Sequence, residues 1–75
     1  MKQEFIKNFF EGLRSDSLPF VINDCVEITS DKNKGKAGSI ISIVQTEPKL
    51  EYLVEFGDGS GDLVIEAIWL KLYKK

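Results

Sequence analysis

The 75-residue chain has no histidine and a single cysteine, Cys25. Those two gaps exclude much chemistry. A lone thiol forms no intramolecular disulfide, a conventional zinc set lacks its ligands, and there is no imidazole to activate Cys25 as a nucleophile. Cys25 therefore reads as a small residue on a sheet surface, and a single thiol suits a reducing compartment, the cytoplasm. Long apolar runs are missing too. Lys2, Glu4 and Lys7 interrupt the apolar N-terminal residues, so neither a signal-peptide core nor a membrane span of about 18 residues is expected. Positive charge is not in excess either. A net charge of −2 and a pI near 5.0 argue against nucleic-acid binding by overall charge, although one local basic loop could still supply phosphate contacts.

What is present is the composition of an ordinary folded domain, 43% apolar and 29% charged, on a chain long enough for one small core. In residues 3–14, Phe5, Ile6, Phe9, Phe10 and Leu13 recur as one helical stripe. The spacing predicts an amphipathic helix ending near Arg14, with Gly12, the Ser15-Asp16-Ser17 run and Pro19 as stop signals. Three phenylalanines on so short a helix need cover from the rest of the domain, from another copy, or from a membrane surface. Glu4 and Glu11 balance the lysines on the polar face, which weighs against the membrane, and burial on the domain is the expected outcome. Residues 18–22 form an extended apolar lead-in, with Pro19 disfavouring a central strand.

The remainder reads as strands. Residues 24–29 alternate, Val26 and Ile28 facing one way and Cys25, Glu27 and Thr29 the other. The loop of residues 31–38 is rich in lysine and glycine. Gly35 and Gly38 are expected to supply positive φ there, and Gly38 to allow close backbone approach. Residues 39–46 break alternation between Ile41 and Ile43, which predicts a β-bulge or a strand covered on both faces. In residues 50–56, Tyr52, Val54 and Phe56 share one face while Glu51, Leu53 and Glu55 share the other. Residues 57–62 carry glycine-aspartate turn chemistry, and residues 63–66 a fourth strand. Residues 67–70 predict a short helical turn that buries Trp69 where the last strand, through Tyr73, closes the core.

Val26-Glu27-Ile28 leading into Lys34-Gly35-Lys36-Ala37-Gly38-Ser39-Ile40-Ile41-Ser42-Ile43 resembles the KOW motif, a hairpin of a large-subunit ribosomal protein family and of the C-terminal domain of NusG-type transcription factors. The resemblance spans residues 26–56. Residues 57–70 are more similar to the ending of small Tudor-like barrels. Both resemblances imply an SH3-like barrel, and KOW proteins often contact RNA or another protein. The expected fold is thus mainly β, an SH3-like five-stranded antiparallel barrel in residues 18–75, with an N-terminal amphipathic α-helix in residues 1–17 packed on it.

No constellation supports catalysis. Asp58 and Asp62 sit on a glycine loop but lack the series of oxygen ligands of a calcium-binding loop, and Glu51 and Glu55 lack the cleft that a paired-carboxylate hydrolase needs. No enzyme, metal or cofactor is expected. Lys32, Lys34 and Lys36 form the only basic cluster, able to touch phosphates but without aromatic residues in the loop to stack bases. The opposing feature is acidic: Glu47, Glu51, Glu55, Asp58, Asp62 and Glu66 fall within residues 47–66 and could form a face for a basic partner. The reading is a non-catalytic protein-binding module, monomeric or weakly dimeric, of the kind represented by immunity-type inhibitors of a toxin or small accessory subunits. The alternative is KOW-like RNA or ribosome binding through the lysine loop.

Overall fold

The computed structural model describes residues 3–30 and 32–73. Helix α1 (Gln3–Glu11) is followed by strands β1 (Cys25–Ile28), β2 (Ala37–Gln45), β3 (Glu51–Phe56) and β4 (Gly61–Glu66), a 3₁₀ turn (Ala67–Trp69) and β5 (Leu70–Leu72). All strand pairings are antiparallel, in one sheet of order β4-β3-β2-β1-β5. The sheet is mainly a meander whose last strand returns to lie beside the first. It is not closed into a barrel, and β4 and β5 form its two edges.

The helix ends a turn earlier than its apolar pattern suggests. Gly12 takes φ +77°, its N–H bonds to the Phe9 carbonyl and the Leu13 N–H to that of Asn8, a left-handed stop that satisfies the last carbonyls of α1. Of the five stripe residues only Phe9 is fully buried. Phe5 packs against the core, Ile6 is half-buried, and Phe10 remains 56% exposed with Leu13. The stripe therefore does not pack as a whole: Phe5 and Phe9, one helical turn apart, face the sheet, while Phe10 lies about 100° further round the helix.

Beneath α1 lies the inner face of the sheet. Val26 and Ile28 of β1 and Tyr52, Val54 and Phe56 of β3 point into it, in the period-two pattern expected. β2 is bulged, the first of the two outcomes its sequence allows, with register shifts between Ile40 and Ser42 and between Ile43 and Gln45. The first shift brings Ile40 and Ile43, three residues apart, to the same buried side, leaving Val44 exposed.

Residues 18–22 do more than lead in. Leu18, Phe20 and Val21 are buried, and the Tyr52 hydroxyl donates to the Phe20 carbonyl (2.7 Å) while accepting from the Phe20 N–H (3.2 Å). Nearby, Asp24 accepts the Val21 N–H (2.9 Å) and is held by Arg14 through Nε (3.1 Å) and Nη2. The hydrogen bond to Asp24, with its charge, raises the pKa of Arg14 further. The segment between helix and sheet is thus fastened at both ends.

Burial, reinforced by the charge of Asp24, pushes the Tyr52 phenol up to about 12 from its ordinary value of 10.0. The neutral phenol is the form the fold favours, so its contribution to stability is complete below about pH 10 and is lost as pH rises through about 12. Tyr52→Phe should remove that alkaline loss and, by leaving two buried backbone groups of Phe20 unpaired, lower stability at pH 7 by about 1–3 kcal/mol. Denaturant titrations of both proteins at pH 7 and pH 11 check this. An equal fall of the two between those pH values would place the alkaline transition elsewhere.

Two local expectations need correction. Gly35 has φ +92°, but Gly38 lies outside the left-handed region, and what requires glycine there is proximity alone. Trp69 is 43% exposed instead of buried. Leu70 turns into the core at the start of β5, and the preceding 3₁₀ turn consequently leaves Ile68 and Trp69 outward. The Trp69 backbone still anchors the turn, accepting the Thr29 N–H at 2.8 Å.

Candidate functional site

Register decides which of the acidic residues meet. In the β3–β4 ladder Glu51 stands directly opposite Glu66, Leu53 opposite Val64 and Glu55 opposite Asp62. Directly opposite residues share a face, so four carboxylates surround an apolar centre of Leu53 and Val64 on the outer side of the sheet. Val64 is 50% exposed. Like charges placed opposite one another destabilise a sheet, and the two acidic pairs are a local cost to folding.

Elsewhere the same sheet compensates its charges. Glu27 of β1 is opposite Lys71 of β5, with Nζ and carboxylate 4.0 Å apart. On the acidic side the one ion pair among the described residues is Lys49 to Glu66, at 3.0 Å. Glu51 is half-buried, and Glu55 and Asp62 are exposed at the opposite end of the ladder from Lys49.

The other two acidic candidates are not brought into this face. Glu47 lies in the β2–β3 turn and lines, with Glu4, Phe5, Asn8 and Leu50, a hollow of about 440 Å³ beside α1. Asp58 lies in the β3–β4 turn. There it accepts hydrogen bonds from the Ser60 hydroxyl and, at 2.9 Å, from the Ser60 N–H, which hold its carboxyl below the usual range. It is engaged in shaping its own turn.

Lys32, Lys34 and Lys36 are all exposed in the loop between β1 and β2. Lys36 lies with Nζ 5.1 Å from the centroid of the Phe56 ring, and its charge also favours ionised Asp58. This links the lysine loop to the β3–β4 turn. The Phe56 ring is itself buried, so it offers no platform on which a base could stack. Asp31 of this loop lies outside the described residues.

A groove that the sequence did not announce runs along β4. It encloses about 520 Å³ and is lined by Leu63, Val64, Ile65 and the acidic pair Glu51 and Glu66, with Ile28, Asn33 and Trp69 among the residues completing it. The apolar run 63–65 and the unusual Trp69 were visible signals, but each read equally well as core.

Cys25 is exposed on β1, at the sheet surface. No group of three potential metal ligands occurs among the described residues, and none of their helices is long and apolar enough to cross a membrane. Comparison with protein-family models, curated proteins and solved structures finds no match to this chain.

Proposed function

We propose that this chain is a non-catalytic binding module whose β3–β4 outer face meets a basic surface on a partner protein, as an immunity-type inhibitor or a small accessory subunit would. The supporting observation is the stacking of Glu51 on Glu66 and Glu55 on Asp62 around Leu53 and Val64, while the other edge of the sheet matches Glu27 with Lys71. An apolar centre bordered by four carboxylates, of which Glu66 alone is paired with a lysine among the described residues, suits association: apolar contact supplies affinity, and the charges supply steering and partner choice. The strand order and the bulged β2 are compatible with an SH3-like arrangement. The lysine loop supports RNA binding less well, because Lys36 is engaged with Phe56 and no exposed aromatic accompanies it in the loop.

The test is a sign reversal. The protein retained from nuclease-treated lysate by the native chain should be lost from a Glu51→Lys, Glu55→Lys, Asp62→Lys variant and kept by a variant with Lys32, Lys34 and Lys36 changed to alanine. RNA retained in untreated lysate, with a salt-steep affinity that disappears with the three lysines, would overturn the proposal.

A further inference from the structure

Edge strands expose a row of N–H and C=O groups that can template another strand, and they are usually blunted by charged side chains, lysine above all, by proline, by a bulge or by a covering element. β4 has no lysine, proline or bulge, and its only charges are Asp62 and Glu66, which repel an acidic strand and attract a basic one. Its sequence is Gly-Asp-Leu-Val-Ile-Glu, and its six pairs with β3 run from Glu51↔Glu66 to Phe56↔Gly61 without a register shift. On its other side no strand pairs with it among the described residues. The groove beside it is lined by Leu63, Val64 and Ile65 together with Ile28, Asn33 and Trp69, and by the acidic pair Glu51 and Glu66. Leu63 is opposite the buried Val54 and so belongs to the inner side of the sheet, yet it is 41% exposed.

We propose that this edge receives an extended segment of the partner, added to the sheet against β4, in which apolar side chains alternate with lysine or arginine. The inference rests on the basic-partner reading above and specifies its contact. An added strand presents successive side chains to opposite faces of the sheet. On the inner side they meet Leu63 and Ile65, which suits apolar groups, with Trp69 lining the same groove as Glu51 and Glu66. On the outer side they pass Asp62, Val64 and Glu66, with Glu55 and Glu51 in the next row, which suits cations. Because Lys49 already meets Glu66, the surplus charge lies toward Asp62 and Glu55, and the cations of the segment concentrate there. An acidic segment would meet like charge. A segment polar at every position would leave Leu63 and Trp69 uncovered.

The experiment uses the full chain and three capped eight-residue peptides: alternating lysine and valine, alternating lysine and glycine, and alternating glutamate and valine. Binding is followed by titration and by amide exchange of the protein. The lysine-valine peptide should bind and slow exchange within β4 by about tenfold or more, and the glutamate-valine peptide should not bind. Leu63→Lys and, separately, Asp62→Lys should each weaken the lysine-valine complex by about tenfold. Both positions are exposed, and native amide spectra away from β4 establish that the variants are folded. Equal binding of both lysine peptides, with no new protection in β4, overturns strand addition and leaves the acidic-face reading standing. Failure of both lysine peptides to bind overturns the two together. Protection of β4 that depends on protein concentration without any peptide overturns the assignment to a partner, because the occupant is then a second copy.

Discussion

Phe9→Ala should lower the stability of the protein by about 3–5 kcal/mol, while Phe10→Ala, one residue along the same helix, should change it by no more than about 1 kcal/mol. The difference comes from direction alone. Phe9 has no exposed surface and stacks on Tyr52 with centroids 6.2 Å apart, whereas Phe10 is mostly solvated and touches Phe9 edge-on at 5.1 Å. The Phe9 carbonyl also accepts the N–H groups of Gly12 and Ile22, so disturbing its position loosens the helix stop and residues 18–22 together. A small domain has a stability near the lower part of the usual range of about 5–15 kcal/mol, and the Phe9 variant should be partly unfolded at room temperature. Urea unfolding followed by circular dichroism measures both costs. Equal losses at the two positions would mean that the whole Phe5–Leu13 stripe is held against other surface, contrary to the packing described.

The strands were legible where one face is buried and the other wet. Tyr52, Val54 and Phe56 alternate with Glu51, Leu53 and Glu55, and a period of two has only one way to sit against a core. The bulge in β2 was legible in part: the break in alternation between Ile41 and Ile43 allowed either a bulge or a strand covered on both faces, and only the pairing with β3 selects the bulge, which puts Ile40 and Ile43 on one buried side. Helix length, the burial of Trp69 and the dispersal of the acidic cluster were not. Gly12 ended the helix through a left-handed conformation that apolar spacing does not register. For Trp69, hydrophobicity named a residue suited to a core but not which of residues 68–70 would face it, and the 3₁₀ turn gave the place to Leu70.

The candidate site shows the same limit. Six carboxylates close in sequence became a face of four only through the register of β3 on β4, with Glu47 and Asp58 carried off into turns. Register depends on pairing between strands, which a linear pattern of charges does not encode. The consequence is that the acidic face and the unpaired edge of β4 share Asp62, Val64 and Glu66. Both are features that a sheet selected for stability alone would reduce, by opposite charges in the ladder and by a lysine on the edge.

Gly38→Ala should be among the most damaging single-methyl additions in the chain, costing about 2–3 kcal/mol and lowering Tm by about 10–20 °C. A Cβ built on Gly38 would stand 2.5 Å from the Glu55 carbonyl oxygen and 2.8 Å from Val54 Cγ1, and the first of these is backbone that no rotamer change can move. Gly38 is paired with Val26 on one side and Phe56 on the other, so relief requires β2 to separate from β3 beside two buried core residues. The internal control is Gly57, which has nothing within 4 Å of its Cβ position and no positive φ, and where alanine should change stability by no more than about 0.5 kcal/mol. Because Gly38 joins the lysine loop to the strand that supports Glu55, the variant should also slacken the acidic face, seen as faster amide exchange along β3 and β4. Calorimetry of the two alanine variants decides the matter: a Gly38→Ala protein that melts with the native one would show that β2 and β3 can part there at little cost, and that the close approach does not hold the two strands together.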